Sequence, residues 1–231
     1  MTSTHGDKKT ETPARPGEPP LRAAIVPVTP FQQNCSLIWN AATMTGAVVD
    51  PGGDVDSILA AVAEVGMTVD RIVLTHGHID HAGGAAELKE RLGGTIPIDG
   101  PHRADGFLLR GLAAQGRQYG IAGSRNVEPD RWLDEGMSLE IGGQPFEIKH
   151  CPGHSPGSLV YINHAQKFIL MGDVLFRGSI GRTDFPYGDH DALISAIKSK
   201  LMTLDDGYGF LCGHGPGSTI GLERRSNPFI R

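Results

Sequence analysis

Thr75-His76-Gly77-His78-Ile79-Asp80-His81 places three histidines and an aspartate within seven residues, directly after the apolar run Arg71-Ile72-Val73-Leu74. Imidazoles and carboxylates at this density are costly unless a metal ion compensates them. The apolar run is predicted to be a strand, so the cluster follows its carboxyl end, where open α/β sheets place their ligand sites. The stretch therefore predicts a divalent metal site with a chemical role.

Short apolar runs separated by Pro, Asn and Gly predict strands on both sides of this cluster. Apolar residues at helical spacing predict helices from Val55 to Val62 with Gly66 as cap, over Ala82–Leu92 and over Asp189–Leu201. The segment from Pro101 to Asp130 is predicted as a helix followed by a mobile loop. The alternation of strands and helices in both halves predicts a layered α/β sandwich. The predicted strands are Ala24–Val28, Ser36–Trp39, Ala47–Val49, Arg71–Leu74, Ile96–Ile98, Glu147–His150, Leu159–Ile162, Phe168–Met171 and Phe210–Leu211.

The first twenty residues differ in composition from the rest of the chain. Met1 and Ala14 are their only apolar residues, and they include four prolines. Such a stretch cannot bury a core, so residues 1–20 are predicted to be a disordered tail. It lacks the apolar segment of a signal peptide, and its acidic residues are not typical of a mitochondrial transit peptide. Residues 21–231 are expected to form one domain.

Charge and cysteine content narrow the class of protein. The 21 basic and 26 acidic residues give a formal net charge of −5, which argues against a nucleic-acid partner. No apolar run is long enough to span a bilayer, so no membrane association is expected. Cys35, Cys151 and Cys212 are widely spaced, which argues against a disulfide framework and a structural zinc ribbon. The expected compartment is the cytoplasm, and the sequence leaves the oligomeric state open.

Three later segments each place a ligand-type residue beside glycine after a predicted strand. They are Cys151-Pro152-Gly153-His154, Gly172-Asp173 and Gly213-His214-Gly215. With the opening cluster they supply five histidines and two aspartates. One metal needs only three or four such ligands, so the set predicts two metal ions.

The ordered pattern Thr-His-x-His-x-Asp-His, Pro-Gly-His, Gly-Asp and Gly-His resembles the metallo-β-lactamase superfamily over residues 21–231. This resemblance implies an α/β fold, the four-layer αβ/βα sandwich, with the site between its two sheets. It assigns His76, His78 and His154 to metal one, Asp80, His81 and His214 to metal two, and Asp173 to a bridge between them.

Two divalent ions roughly 3.5–4 Å apart can share a hydroxide and lower the pKa of its parent water to about 7. The same ions polarise a carbonyl group and stabilise the oxyanion that forms from it. Asp80, which is both ligand and carboxylate, is the candidate catalytic residue that orients the water or takes its proton. The expected reaction is hydrolysis of an activated acyl bond.

Other residues of suitable type have simpler interpretations. Asp50 either supports a ligand or forms the turn before Pro51. Cys151 is expected to be a small buried residue rather than a nucleophile, because a metal-activated hydroxide already fills that role. The remaining histidines in residues 21–231 lack ligand-type neighbours in the sequence and are expected on the surface or in hydrogen bonds. They are His102, His150, His164 and His190.

Two stretches indicate a subfamily. Residues 172–186 and 213–229, which include Gly-Arg-Thr-Asp-Phe-Pro and Gly-His-Gly-Pro-Gly-Ser, resemble the short single-domain type II glyoxalases. That resemblance implies hydrolysis of the glutathione thioester S-D-lactoylglutathione to D-lactate and glutathione, in methylglyoxal detoxification. It also implies two divalent ions, with zinc as first choice and iron or manganese as alternatives.

Larger glyoxalases of this type bind glutathione partly through a C-terminal helical domain. Because 17 residues follow His214, no such domain is expected here. Substrate contacts are instead expected from the core, with Arg182 and Tyr119 as candidates and Arg110 and Arg117 as further possibilities. A basic side chain would suit the carboxylates of glutathione.

Two alternatives stay open at this point. Persulfide dioxygenases of the same superfamily share the Gly-Arg-Thr-Asp-Phe segment and hold one iron through two histidines and an aspartate, here His76, His154 and Asp173. A non-catalytic metal-binding module is the second alternative, although structural zinc sites are usually rich in cysteine. Nucleases of the superfamily are disfavoured by the acidic charge balance.

Overall fold

A computed structural model describes residues 20–230 of the chain. The predicted disordered tail therefore lies outside the described residues, apart from Pro20. The single domain expected over residues 21–231 stays a prediction. Among the described residues, no helix is both long enough and apolar enough to cross a membrane.

The amino-terminal half forms a five-stranded sheet in the order β1-β2-β3-β4-β5. Its first three strands are antiparallel neighbours, and β3, β4 and β5 run parallel. The parallel part brings the carboxyl ends of β3 and β4 together, which is where Asp50 and the histidine cluster follow. The strands are β1 (Leu21–Val28), β2 (Gln33–Asn40), β3 (Thr45–Val49), β4 (Thr68–Val73) and β5 (Ile98–Asp99).

The carboxyl-terminal half forms a six-stranded sheet and a separate hairpin. The sheet order is β13-β12-β9-β8-β7-β6, with β9 and β12 parallel, and β10 pairs with β11 in the hairpin. The strands are β6 (Ser138–Ile141), β7 (Gln144–His150), β8 (Leu159–Asn163), β9 (Phe168–Leu170), β10 (Leu175–Phe176), β11 (Ser179–Ile180), β12 (Gly209–Leu211) and β13 (Ser218–Thr219).

Seven α-helices are found among residues 20–230. Gly66 ends α1 with φ of 74°, a conformation that glycine adopts without strain, as the sequence predicts. The Asp189 side chain accepts from the amide of Ala192 and caps α6, which continues as a π-helical turn over Ile197–Leu201. The helices are α1 (Val55–Val65), α2 (Ile79–Ala82), α3 (Ala85–Arg91), α4 (Gly106–Leu109), α5 (Leu112–Tyr119), α6 (His190–Ala196) and α7 (Ile220–Ser226).

Three apolar clusters hold the layers together. The first lies between α1, α3, α5 and the outer face of the five-stranded sheet. The second lies between the two sheets, where Val49 and Val73 meet Ile148, Leu159 and Tyr161. The third joins α6 and the six-stranded sheet. Helices outside and two sheets inside make the predicted four-layer αβ/βα sandwich, and the fold prediction is confirmed.

The predicted boundaries were wrong in several places. The helix expected over Ala82–Leu92 begins at Ile79 and breaks at Gly83, because α2 and α3 are separate helices. The strand expected over Ile96–Ile98 is Ile98–Asp99. The segment from Pro101 to Asp130 contains a short 3-10 turn, α4 and α5 rather than one helix. The elements β6, β10, β11, β13 and α7 were not predicted.

Candidate metal centre and its pocket

Seven predicted ligands converge where loops from both sheets meet. The loop after β4 and the helix α2 supply four of them, and the loops after β7, β9 and β12 supply one each. All but two of the seven have little exposed surface. The structure therefore brings together residues that lie up to 138 positions apart, namely His76, His78, Asp80, His81, His154, Asp173 and His214.

Three imidazole nitrogens face one another in a first group of ligands, which contains His76, His78 and His154. His78 Nδ1 lies 3.0 Å from His76 Nε2 and 2.9 Å from His154 Nε2. Nitrogen ligands around one tetrahedral zinc lie about 3.3 Å apart, given metal–nitrogen bonds of about 2.0–2.1 Å. This group, His76, His78 and His154, has the spacing of a three-histidine metal site.

The second group contains Asp80, His81 and His214. Asp80 Oδ2 lies 3.2 Å from His214 Nε2 and 3.8 Å from His81 Nε2. Asp173 lies between the two groups, because its Oδ2 is 3.5 Å from His154 Nε2 and 3.5 Å from His214 Nε2, while its Oδ1 is 3.4 Å from His81 Nε2. One carboxylate thus contacts ligand-type nitrogens of both groups.

Two buried polar atoms of the cluster lack hydrogen-bond partners. They are His81 Nε2 and Asp173 Oδ1, both of which point into the space between the groups. A buried polar atom without a partner is costly in a protein that lacks a ligand for it. These orphaned atoms and the converging imidazoles fit two metal ions, so the His/Asp clusters are suited to a dinuclear site.

The pKa directions differ between the two groups. Burial and the nearby His154 lower the pKa of His78 to about 3. Burial opposes protonation of His81 as well, but the carboxylates of Asp173 and Asp80 outweigh it and raise the pKa well above its usual value. Burial likewise opposes protonation of His214, whose pKa is nevertheless raised by its hydrogen bond to Asp80. His81 and His214 in the second group therefore favour protonation, whereas His76 and His78 in the first group, whose pKa values are lowered, do not.

Asp50 supports the cluster from outside, which resolves the alternative that the sequence left open. Its Oδ2 lies 2.9 Å from His81 Nδ1 and accepts from Thr75 Oγ1 at 2.7 Å, while its Oδ1 accepts from the Thr75 amide at 2.8 Å. Thr75 Oγ1 in turn lies 3.0 Å from His76 Nδ1. These contacts leave the Nε2 atoms of both histidines facing inward, as outer partners of metal ligands do.

The other imidazoles of the first group are oriented in the same way. His154 Nδ1 lies 2.9 Å from the carbonyl oxygen of Arg182, and His78 Nε2 lies 2.9 Å from the hydroxyl of Tyr187. A neutral imidazole holds one proton, so a proton on each of these outer nitrogens leaves the inner lone pair free. Burial raises the pKa of Tyr187 to about 12, so its hydroxyl stays protonated. Tyr187 was not among the predicted site residues.

Asp105 joins the loops of two ligand segments and was also missed. The residue is fully buried. Its Oδ2 accepts from the Gly77 amide at 2.8 Å and from Ser155 Oγ at 2.7 Å, and its Oδ1 accepts from the Gly157 amide at 2.6 Å. Gly77 lies between two predicted ligands, and Ser155 follows a third. One carboxylate therefore fixes the distance between the loops of the first group.

The loop of His214 is held by the start of β2. The Asn34 amide donates to the carbonyl of Gly213 at 2.7 Å, and its side chain donates to the carbonyls of Cys212 and Gly215 at 3.0 and 2.8 Å. Gly213 has to be glycine here, because a Cβ atom would lie 2.1 Å from Asp173 Oδ1. The close packing places His214 beside the other ligands.

A pocket of about 890 Å³ opens above the cluster. Arg182 and Tyr119, the predicted substrate contacts, both line it, whereas Arg110 and Arg117 do not. Arg182 forms a two-point ion pair with Asp184, at 2.7 and 2.8 Å, and its guanidinium lies over the ring of Phe185. Aromatic residues form much of the remaining wall, namely Phe31, Phe107, Phe176, Phe185 and Tyr187.

One wall of this pocket is fixed by the carboxyl-terminal helix α7. The buried carboxylate of Glu223 accepts from the Gly178 amide at 2.8 Å, within the β10–β11 hairpin. The side chain of Asn227 donates to the carbonyl of Ser179 at 3.0 Å and to that of Phe176 at 3.4 Å. The Glu-Arg-Arg-Ser-Asn stretch thus holds a pocket wall in place.

His102 and His150, expected on the surface or in hydrogen bonds, group with Asp134. Their rings are stacked, with centroids 4.2 Å apart and planes 24° apart. Stacked rings do not direct their in-plane lone pairs at one ion. His150 Nε2 also lies 2.8 Å from the carbonyl of Pro156, and His102 Nδ1 accepts from the Ala104 amide. This group is therefore a hydrogen-bonded surface cluster.

Comparison with known proteins agrees with this geometry. Residues 28–214 match the model of the metallo-β-lactamase superfamily. The hydroxyacylglutathione hydrolase GloC of Haemophilus influenzae is 45% identical over 211 residues, which cover 91% of this chain and 98% of that protein.

Two solved structures extend the comparison. The BLEG-1 B3 metallo-β-lactamase superposes with a TM-score of 0.81 at 34% identity, covering 90% of this chain and 99% of that one. TTHA1623 in a di-iron-bound form superposes with a TM-score of 0.78 at 37% identity, covering 89% and 99%. The family match, the relative's identity and the ordered histidine motif agree, and the chain belongs to the metallo-β-lactamase superfamily of metal-dependent hydrolases.

Proposed function

We propose that this protein is a thioester hydrolase that uses two metal ions and cleaves S-D-lactoylglutathione to D-lactate and glutathione. The observation that supports it most is the convergence of the seven ligand-type side chains beneath one pocket, which five of them line. The similarity to a hydroxyacylglutathione hydrolase supports the substrate. In this proposal His76, His78 and His154 hold one ion, Asp80, His81 and His214 hold the other, and Asp173 bridges them.

The two ions would supply a nucleophilic hydroxide at neutral pH and would polarise the thioester carbonyl. The side chains of the protein perform the remaining tasks. Asp80 lines the pocket and has a lowered pKa, since the neighbouring His81 outweighs the effect of burial. It therefore stays a carboxylate, which would orient the attacking water. The leaving thiolate needs no general acid, because thiols ionise near pH 8.5.

The mononuclear alternative leaves part of the site without a role. A single iron held by His76, His154 and Asp173 would not require the second group. Yet Asp80, His81 and His214 place ligand atoms within 4.8 Å of one another, and His81 and His214 also lie 3.4 and 3.5 Å from Asp173. That arrangement supports two ions. A non-catalytic module is disfavoured by the pocket directly above the ligands.

The decisive experiment measures metal content, thiol release and oxygen uptake on one sample. We expect about two metal ions per chain, release of free thiol from S-D-lactoylglutathione, and no oxygen consumption. One iron per chain, with oxygen uptake that depends on glutathione persulfide, would assign the protein to the dioxygenases instead. Zinc as the bound ion and a cytoplasmic location stay predictions.

The pH dependence of metal binding should distinguish the two groups. An imidazole must lose its proton before it binds a metal, so protons compete only where the pKa is high. The pKa of His78 is lowered to about 3, whereas those of His81 and His214 are raised. As the pH falls, protons should displace the ion of the second group first, because His81 and His214 favour protonation whereas His76 and His78 do not. Metal analysis after dialysis at a series of pH values would show a plateau at one ion.

A matched variant identifies which ion leaves first. His214→Ala should retain about one metal ion and should not hydrolyse the thioester. The binding of that ion should not change over the pH range in which the unaltered protein loses its first ion. Simultaneous loss of both ions in the unaltered protein would contradict the assignment.

The contacts between α7 and the β10–β11 hairpin should affect substrate binding more than turnover. Asn227→Ala removes donors to the carbonyls of Ser179 and Phe176, and each lost hydrogen bond costs about 1 kcal/mol. We expect KM to rise severalfold while metal content stays unchanged. Ser226→Ala, one residue earlier and exposed, is the matched control, and steady-state kinetics with urea unfolding measure both effects. An unchanged KM in Asn227→Ala would show that the hairpin does not need this support.

A further inference from the structure

The pocket presents aromatic rings on both sides of the proposed reaction centre. On the side of the first group, the Phe185 ring lies 4.9 Å from the ring of His78. The Tyr187 ring stacks on the Phe185 ring, with centroids 5.3 Å apart. On the opposite side, the Phe176 ring lies 6.3 Å from the ring of His214. Both substituents of a carbonyl group placed above the ligands would therefore meet apolar walls.

The mouth of the pocket is aromatic as well. Phe31, Phe107 and Tyr119 line it and are 45%, 45% and 47% exposed. Phe31 and Tyr119 meet edge to face at 5.6 Å, and Phe107 meets Tyr187 in the same way at 5.2 Å. Large apolar residues exposed together around a concave site are typical of a ligand site for an apolar group.

Positive charge from side chains is scarce in this pocket. Among the residues of the described chain that line it, Arg182 is the only arginine or lysine. Its guanidinium is already paired at two points with Asp184 and covered on one face by Phe185. A site that selects a ligand through its carboxylates would instead direct unpaired cations at them. The described residues that line the pocket offer no unpaired arginine or lysine to the carboxylates of glutathione.

We propose that the pocket selects thioesters by an aromatic acyl group and that the carboxylates of the thiol component add little to recognition. This inference rests on the proposed thioester hydrolase activity and names its substrate class as arylacyl thioesters. The reaction balances as a hydrolysis: water adds to the carbonyl carbon, the carbon–sulfur bond breaks, and a carboxylate, a thiol and one proton are released.

Three thioesters test the proposal on the metal-loaded protein. One pair differs only in the acyl group, and the other pair differs only in the thiol component. S-Mandeloylglutathione has a phenyl group where S-lactoylglutathione has a methyl group, and we expect kcat/KM to be about tenfold higher for the phenyl compound, since a buried ring removes more apolar surface from water. S-Mandeloyl-N-acetylcysteamine lacks the carboxylates, and its kcat/KM should lie within about threefold of that of the glutathione ester.

Variants locate the effect in the pocket. Phe31→Ala and Phe107→Ala should each reduce the preference for phenyl over methyl by at least about threefold. Phe229→Ala removes an aromatic side chain that is 48% exposed but does not line the pocket, and it should leave that ratio unchanged. Asp184→Asn releases Arg182 from its ion pair. It should therefore increase kcat/KM for S-mandeloylglutathione relative to that for S-mandeloyl-N-acetylcysteamine.

Binding can be measured without turnover as well. The thioether S-phenacyl-N-acetylcysteamine cannot be hydrolysed, and calorimetry should show that it binds the metal-depleted protein about tenfold more tightly than the S-acetonyl analogue.

The outcomes separate this inference from the proposed function. A phenyl preference below threefold, or a glutathione advantage of threefold or more over N-acetylcysteamine, would overturn the inference while leaving the hydrolase intact. Absence of thiol release from all three compounds would overturn the hydrolase itself. A tenfold phenyl preference with equal use of both thiol carriers would support the inference.

Discussion

Asp173→Asn should abolish thioester hydrolysis, with a loss of about a thousandfold or more, and should remove at least one metal ion per chain. The loss exceeds the roughly 10–100-fold cost of removing an outer partner of a metal ligand. The two carboxylate oxygens together contact three histidines: Oδ1 lies 3.4 Å from His81 Nε2, and Oδ2 lies 3.5 Å from the Nε2 atoms of His154 and His214. Asparagine keeps the shape but replaces one oxygen with an NH₂ group, which cannot bind a metal.

The charge of Asp173 matters as much as its position. The nearby His81 outweighs the effect of burial and holds the pKa of the Asp173 carboxyl well below its usual range. The group is therefore a carboxylate at neutral pH and compensates the positive charge of bound ions, which a neutral amide cannot do.

Metal analysis by mass spectrometry and thiol release would be measured on the same preparation, with circular dichroism to verify the fold. Asp56→Asn makes the same chemical change at an aspartate whose side chain is 89% exposed, and it should leave both quantities unchanged. Retention of two ions with full activity in Asp173→Asn would contradict the bridging role.

The ligand set could be predicted because each member belongs to a short local pattern. His76, His78, Asp80 and His81 occur together, and His154, Asp173 and His214 each stand beside a glycine after an apolar run. The order of these segments was sufficient to indicate the superfamily. The central strands were predictable for a related reason, since buried strands such as β8 appear as continuous apolar runs.

Apart from Asp50, the supporting residues could not be predicted, because their partners are distant in the sequence. Asp105 accepts from groups 28 to 52 positions away, and Asn34 donates to carbonyls up to 181 positions away. Most of these partners are backbone atoms, which every residue has, so no pattern of residue types identifies them. Glu223 was part of a stretch that indicated a subfamily, but its contact with the Gly178 amide was not evident.

Short elements escaped prediction for a different physical reason. The strands β10, β11 and β13 have two residues each, and α2 has four, so none is long enough to show a hydrophobic period. Their positions depend on tertiary contacts, such as those from Asn227 to the hairpin. Short elements around the site are thus fixed by the fold rather than by local sequence.

Asp105→Ala should combine the largest loss of stability with weaker metal binding. It leaves the amides of Gly77 and Gly157 without their acceptor in a fully buried place, whereas the hydroxyl of Ser155 can still bond to Ser158 Oγ. Each unsatisfied buried group costs about 1–3 kcal/mol, so we expect the two amides alone to lower the free energy of unfolding by at least about 2 kcal/mol. Metal affinity should fall about 10–100-fold, the range for a lost outer partner.

The matched control is Asp134→Ala, in which the replaced side chain is 59% exposed. Asp105→Asn keeps one acceptor oxygen and should lie between the alanine variant and the unaltered protein in both measurements. Urea unfolding of the metal-depleted proteins measures the free energy of unfolding without any contribution from bound metal. Zinc titration against a competing chelator measures the affinity for zinc. If Asp105→Ala lost stability but bound zinc normally, the two ligand loops would have to be held together by the metal rather than by the carboxylate. A parallel loss of both would instead show that this one buried carboxylate sets the spacing of the three-histidine group before any ion binds.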